Sequence, residues 1–134
     1  MTEELELRLN EKYPKIFQPT PFHFECSDGW YDLIDTVCSN IQSHVDQKRM
    51  SKDLGDMNDE EFNEEHQTRA AQVKEKFGGL RFYVDGGDDY IYGIIALAES
   101  MSYRICESCG SKGSIRRGPW IRTLCDGCDQ VTKR

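Results

Sequence analysis

Apolar residues recur at helical spacing near the start of the chain. Leu5, Leu9 and Tyr13 share one face, and Pro14 limits this first helix because proline cannot continue it. Residues 16–26 then combine two prolines with aromatic side chains. This composition predicts an extended segment that lies on the core.

A second helical pattern is longer and its apolar stripe is complete. Ser27 or Asp28 precedes the stripe, and either side chain can cap the N-terminus of a helix. The repeat every three or four residues predicts a buried face. Its members are Trp30, Leu33, Ile34, Val37, Cys38, Ile41 and Val45.

Alternation with a period of two residues appears in the middle of the chain. Positions 71–77 alternate before Gly78-Gly79, and positions 80–84 alternate after it. Two alternating runs separated by two glycines predict an antiparallel β-hairpin with its turn at that pair.

The residues after the hairpin predict a further helix. Asp85, Asp88 and Asp89 stand in a glycine-containing turn, and the last two can cap the helix. Its apolar positions are Ile91, Ile94, Ile95, Leu97, Ala98 and Met101. Helices and a small antiparallel sheet together predict an α+β fold.

Between these elements, residues 49–67 lose the apolar pattern and become strongly acidic. We predict a mobile acidic loop or a frayed helix there, because few apolar side chains are available for burial. A solvated insertion and a surface that meets a basic partner are both compatible with this composition. The acidic residues are Asp53, Asp56, Asp59, Glu60, Glu61, Glu64 and Glu65.

Four cysteines near the C-terminus have the spacing of a metal site. Cys106 and Cys109 form one C-x2-C pair, and Cys125 and Cys128 form another fifteen residues later. Such pairs are typical of tetrahedral structural Zn²⁺ sites, and four thiolates leave no coordination position open for catalysis. The alternatives are disulfides or a redox dithiol.

The residues around the cysteines predict the form of this unit. Residues 113–117 and 120–124 read as two strands joined at Gly118-Pro119. If residues 126–133 are helical, the order of knuckle, hairpin and helix resembles a treble-clef zinc finger. A zinc ribbon is the alternative.

Charge divides the chain into two parts. Residues 105–134 hold six Lys or Arg against three Asp or Glu, and residues 1–104 hold eleven against twenty-one. We therefore predict an acidic α+β body over 1–104 and a zinc-finger unit over 105–134. The acidic body argues against non-specific nucleic-acid binding, which requires neutralisation of phosphates. The candidate nucleic-acid contacts of the finger are Arg116, Arg117, Trp120 and Arg122.

The sequence predicts a cytosolic protein that is not an enzyme. The N-terminus is acidic and polar, and no apolar stretch approaches the ~18 residues of a membrane span. Cytosolic thiols stay reduced, which favours metal over disulfides. His23, His44 and His66 lack the context of a catalytic motif, and the finger contains no histidine for a nuclease of the HNH kind. Asp85, Asp88 and Asp89 are better suited to turn and capping roles than to cation binding.

Four segments carry a resemblance to a known family. They read FECSDGWYDLIDTVCSNIQ, QVKEKFGGLRFYVDGGDDY, ALAESMSYRICESCGSKG and WIRTLCDGCD. In this order they resemble a family of small proteins encoded by bacteriophages and prophages. The family often has histidine as the last metal ligand, where this chain has Cys128.

Some members of this group look like type II anti-CRISPR proteins. The resemblance implies a protein of the host bacterial cytoplasm that binds a Cas9-type nuclease and blocks DNA loading or cleavage. Structural Zn²⁺ would then stabilise the fold, and an acidic surface could occupy a positively charged channel of the nuclease. The candidate partner contacts are Asp59, Glu60, Glu61, Glu64 and Glu65. The alternative is a phage accessory protein whose zinc finger binds nucleic acid.

Overall fold

The computed structural model describes residues 1–51 and 57–133. These residues form an α+β fold with five α-helices and two two-stranded antiparallel sheets. No helix among them is long and apolar enough to cross a lipid bilayer. The helices are α1 Glu3–Lys12, α2 Tyr31–Arg49, α3 Asp59–His66, α4 Asp89–Ser102 and α5 Asp126–Thr132. The strands are β1 Arg69–Lys76, β2 Gly79–Asp85, β3 Ser114–Arg116 and β4 Arg122–Leu124.

Helix α2 is the centre of the core. Every residue of its predicted apolar stripe is buried. Helix α4 packs against α2 and against β2. On the hairpin, Val73, Leu80 and Phe82 face the same core. The predicted stripe is therefore confirmed, because a continuous apolar helix face is stable only when other elements cover it.

The start of α2 differs from the prediction. A 3₁₀ turn over Asp28–Trp30 precedes the helix, and neither Ser27 nor Asp28 caps it with a side chain. The Asp28 carboxylate instead accepts a hydrogen bond from the Thr2 N–H at 2.6 Å. The capping prediction is wrong because this carboxylate holds the N-terminus of the chain in place.

The β1–β2 hairpin is present, but its turn is one residue earlier than predicted. Lys76 pairs with Gly79, so Phe77 and Gly78 form the two-residue turn, with φ values of 53° and 86°. Gly79 is the first residue of β2, and glycine is required there because a Cβ would lie 2.4 Å from the Tyr103 hydroxyl. A register shift between Ala70 and Gln72 also breaks the simple alternation.

Helix α4 begins where predicted, and Asp88 caps it by accepting a hydrogen bond from the Ile91 N–H at 3.0 Å. Ile91, Ile95 and Ala98 are buried. Leu97 and Met101 were expected in the core and are exposed instead, at 64% and 45%. The buried face of α4 is therefore narrower than its run of apolar residues, because α2 and β2 cover only the side that carries Ile91, Ile95 and Ala98.

The acidic segment contains an ordered helix. Asn58 caps α3 by accepting a hydrogen bond from the Glu61 N–H at 2.8 Å, and Phe62 is buried at the centre of the helix. The Arg49 guanidinium lies 4.4 Å from the centre of the Phe62 ring and pairs with Asp59. Over residues 59–66 the structure therefore has the helix alternative of that prediction and not the loop. The predicted acidic positions 53 and 56 lie outside the described residues.

The C-terminal unit has the order knuckle, β3–β4 hairpin, then α5. Strands β3 and β4 are antiparallel, with Ile115 opposite Thr123. Helix α5 begins at Asp126 and carries Cys128 in its first turn. This order agrees with the treble-clef alternative.

Asp88 generates a pH-dependent prediction. Burial alone would raise the pKa of Asp88, but hydrogen bonds from Lys48, the Ile91 N–H and His44 outweigh it and hold the pKa well below the usual value. Because the pKa of this carboxyl is lower in the folded state than the ~3.9 of the unfolded state, its charge stabilises the folded protein above about pH 4. This contribution to the free energy of unfolding is lost as the pH falls towards the folded-state pKa.

We expect Asp88→Asn to lower the free energy of unfolding by ~1 kcal/mol near neutral pH. The difference from the wild type should shrink below about pH 4, where the unfolded carboxyl is protonated. Urea unfolding at several pH values measures the loss in free energy of unfolding and its dependence on pH. Asp89→Asn is the control, because the neighbouring Asp89 is exposed. A difference that does not change with pH would contradict the role of the Asp88 charge.

Candidate metal centre

The first cysteine pair lies in a knuckle after α4. The Cys106 N–H donates to the Ser111 carbonyl oxygen at 2.7 Å, and the Gly110 N–H donates to the Cys106 carbonyl oxygen at 2.9 Å. Gly110 has a φ of 84°, which a residue with a Cβ rarely adopts. The sequence places glycine where the chain must reverse, and this turn directs the Cys106 and Cys109 sulfurs to one point.

The second pair is positioned by β4 and α5. Cys125 follows the last residue of β4 and is the N-cap of α5. The Cys128 N–H donates to the Cys125 sulfur at 3.4 Å. Residues three apart in the first turn of a helix lie on the same side, so both sulfurs face the knuckle.

The four cysteines form a group that could hold a metal ion. Their sulfur atoms all lie within 4.8 Å of one another, and the Cys109 and Cys125 sulfurs are 3.6 Å apart. Tetrahedral coordination with metal–sulfur bonds of ~2.3 Å requires sulfur–sulfur distances of roughly 3.8 Å. The structure contains no disulfide bond among these four cysteines.

The electrostatics of the cluster favour a cation. Hydrogen bonds from Ser111, and then from Cys125 and Cys106, lower the pKa of Cys109 to about 6. Hydrogen bonding to the sulfurs of Cys125, Cys106 and Cys109 raises the pKa of Cys128 to about 12. Adjacent thiolates repel one another and cannot all ionise without a compensating charge. A divalent ion supplies that charge and displaces the thiol protons.

No second metal group appears among residues 1–51 and 57–133. Asp88 accepts hydrogen bonds in a cluster with His44 at 2.7 Å and Lys48 at 2.6 Å. These partners favour the capping interpretation of the aspartate turn. His44 is half-buried and stacks on Tyr90 with ring centres 4.3 Å apart.

The remaining two cysteines belong to the body. Cys38 is buried at the centre of α2, as predicted, and burial raises the pKa of its thiol well above the usual value. Burial also raises the pKa of Cys26 to about 12. Protonated, buried thiols are poor nucleophiles and poor metal ligands.

The knuckle is docked on the 3₁₀ turn that precedes α2. The Gly29 N–H donates to the Glu107 carbonyl oxygen at 2.7 Å, and the Trp30 indole N–H donates to the Ile105 carbonyl oxygen at 2.9 Å. The Glu107 side chain is buried and accepts a hydrogen bond from the Ser27 N–H at 3.0 Å. The sequence analysis did not predict this contact, which joins residues about eighty positions apart.

The finger hairpin also contacts the tip of the β1–β2 hairpin. The Thr123 hydroxyl donates to the Gly78 carbonyl oxygen at 2.6 Å, and Thr123 is fully buried. A Cβ at Gly78 would lie 3.3 Å from an Ile121 side-chain carbon. The finger therefore meets the body at two glycines.

The candidate partner contacts lie together on α3 and are all exposed. They are Asp59, Glu60, Glu61, Glu64 and Glu65. Asp59 pairs with Arg49, and Glu65 lies 3.7 Å from the His66 ring nitrogen. The structure places these carboxylates on one short helix, whereas the cysteine cluster is formed by the knuckle after α4 and by the start of α5.

The four candidate nucleic-acid contacts of the finger are not equivalent. Arg116 donates to the Leu124 carbonyl oxygen at 3.0 Å and pairs with the Asp126 carboxylate at 2.8 Å. Arg122 lies 3.9 Å from the Glu107 carboxylate. Arg117 and Trp120 are exposed and make no such pairing within the part of the chain that the structure describes.

Comparisons of the chain with protein-family models, with curated protein sequences and with solved structures find no match. The cysteine geometry and the exposed charges are therefore the observations that bear on function.

The metal assignment is tested by Cys106→Ser. We expect this variant to lose stoichiometric metal and to destabilise the finger, because apparent binding free energies of structural zinc are ~10–16 kcal/mol. Native mass spectrometry counts bound metal per chain, and calorimetry follows unfolding. Cys38→Ala is the control, since Cys38 lies outside the cluster. Full metal content with unchanged melting in Cys106→Ser would refute the site.

The docking of the knuckle is tested by Gly29→Ala. A Cβ at this position would lie 2.2 Å from the Cys106 carbonyl oxygen and 2.4 Å from that of Glu107. We expect unfolding to become easier by about 1–3 kcal/mol while metal stays bound. Gly93→Ala is the matched control, because a Cβ there meets nothing within 4 Å and should stabilise α4 by roughly 0.5–1 kcal/mol. Unchanged stability of Gly29→Ala would mean that the two units are not coupled.

Proposed function

We propose that the four cysteines hold structural Zn²⁺ and that the protein is a phage-encoded inhibitor of a host CRISPR nuclease of the Cas9 type, acting in the host cytoplasm. Four thiolates around one ion leave no open coordination position, so the ion has a structural role. The function then depends on the surface of the folded chain.

The acidic face of α3 is the observation that carries this proposal. Five carboxylates are exposed within eight residues. Buried Phe62 anchors the helix, and Arg49 donates to Asn63 at 2.5 Å. Carboxylates on an anchored helix lose less conformational entropy on binding than carboxylates on a loop. Their charge complements a surface that has evolved to hold nucleic acid.

The alternative, a finger that binds nucleic acid through its arginines, has less support. Arg116 and Arg122 already face carboxylates within the finger. An arginine that is paired in this way contributes little additional attraction for a phosphate.

Order of addition in a cleavage assay tests the proposed inhibition. The assay contains a purified Cas9-type effector, its guide and target DNA, and this protein is titrated in before or after the DNA. We expect protection of the target only when the protein is added first, because an acidic ligand and DNA would compete for one basic channel. Absence of protection across several effectors would overturn the assignment to this class of nuclease.

Neutralisation of α3 tests the contact itself. We expect Glu→Gln at the four glutamates to weaken inhibition at least tenfold, because these substitutions remove charge but keep good helix formers. The glutamates are Glu60, Glu61, Glu64 and Glu65.

The control removes the same total charge at exposed carboxylates elsewhere on the chain, and it should inhibit like the wild type. Its positions are Glu3, Glu4, Glu11 and Asp85. Equal inhibition by both variants would exclude α3 as the contact.

A further inference from the structure

The turn of the β1–β2 hairpin carries an unusual residue. Phe77 has a φ of 53° and its side chain is 66% exposed. A two-residue turn with positive φ at both positions favours Asn-Gly, and the left-handed region is unfavourable for a bulky side chain. Neither burial nor turn chemistry accounts for phenylalanine here. An outlier of this kind is a reason to look for a function.

A second exposed aromatic side chain lies beside it. Trp120 is 77% exposed in the loop between β3 and β4. Phe77 and Trp120 line one open recess of about 380 Å³, with Gly118, Pro119 and Ile121. The docking of Gly78 on Thr123 brings these two loops together, although more than forty residues separate them. The recess therefore exists only in the folded, docked protein.

The charged residues that line this recess are Lys76 and Glu75. Lys76 is exposed, and Arg117, which directly precedes Gly118 of the lining, is exposed as well. The Lys76 ammonium lies 5.8 Å from the centre of the Phe77 ring. Glu75 is the one carboxylate of the lining, and it accepts a hydrogen bond from the Gly78 N–H at 2.7 Å. Its charge is partly satisfied within the turn.

The acidic face of α3 lies at the far end of the same hairpin. Helix α3 ends at His66, β1 begins at Arg69, and the turn follows Lys76. Seven steps of ~3.3 Å place the recess roughly 23 Å from the start of β1. This exceeds two Debye lengths of ~8–10 Å, so charges at the start of β1, which follows α3, are largely screened from the recess.

We propose that the recess between Phe77 and Trp120 binds single-stranded nucleic acid, whose bases stack on the two aromatic rings while Lys76 and Arg117 contact phosphates. Exposed aromatic rings combined with cations are the elements of sequence-tolerant single-strand binding. A flat duplex contact would not use two protruding rings. This activity is separate from the proposed contact of α3 with a nuclease, and it uses Phe77, which lies outside the finger.

The test measures fluorescence anisotropy of a labelled deoxythymidine oligonucleotide of about 12 nucleotides, within the site sizes of stacking surfaces. We expect binding by the zinc-loaded wild type. Trp120→Ala and Phe77→Asn should each weaken it roughly 5- to 150-fold. Tyr92→Ala should not, because Tyr92 lies beside Gly87 beyond the other end of the hairpin.

Phe77→Asn separates function from folding. Asparagine tolerates the left-handed conformation, so the melting temperature should not fall although binding is lost. Phosphate contact is tested by salt titration, in which two phosphates give a slope of about −1.4 in log affinity against log salt. The double variant Lys76→Gln, Arg117→Gln should flatten that slope.

Three outcomes would overturn the proposal. They are no oligonucleotide binding by the wild type, wild-type affinity in either aromatic variant, and saturable binding of a labelled proline-rich peptide in place of the oligonucleotide. The last would assign the recess to a protein partner.

Discussion

Residues 105–133 bury little apolar surface of their own, so the cluster of four sulfurs is the constraint on which the finger depends. Among them, Leu124 is the one apolar residue apart from cysteine that is buried. A unit with so small a core needs a metal or a covalent link to fold. The sulfur cluster joins the knuckle to α5. The finger then contacts the body at Gly29, whose N–H donates to the Glu107 carbonyl oxygen, and at Gly78. The aromatic recess exists only because those contacts hold.

The features that could be predicted from the sequence are those whose signal is local. The apolar stripe of α2 is a helical repeat that can be recognised in the sequence alone, and any element that covers it is sufficient to bury it. The cysteine spacing specifies its own chemistry, because ligands two residues apart can face one ion. Asp88 caps the helix that immediately follows it. Within the stripe, within each cysteine pair and at the cap, neighbouring members of the pattern lie within a few positions of one another.

The features that were missed depend on contacts between distant residues. Helix α3 has a single buried anchor, Phe62, and one apolar residue gives no periodic signal. The turn lies at Phe77-Gly78, and Gly79 pairs with Lys76 in β2, where a Cβ would clash with Tyr103. Two adjacent glycines in a sequence do not show which of them lies in the turn and which is required because a neighbouring side chain packs closely. The docking of Gly29 on the knuckle likewise has no signal in the residues that neighbour Gly29 in the sequence.

The two proposed surfaces place opposite charges at opposite ends of one hairpin. Strands β1 and β2 share an uninterrupted ladder from Lys76–Gly79 to Gln72–Tyr83, which keeps the ends apart. The net charge of −7 describes neither end, because five exposed carboxylates lie on α3 whereas Lys76 and Arg117 are exposed near the recess. An RNA-guided nuclease presents both a basic protein channel and a displaced single strand. A protein with one acidic end and one aromatic, basic end can contact both at once. Once the first contact has formed, the second becomes intramolecular, and its effective concentration is set by the fixed separation of the two surfaces.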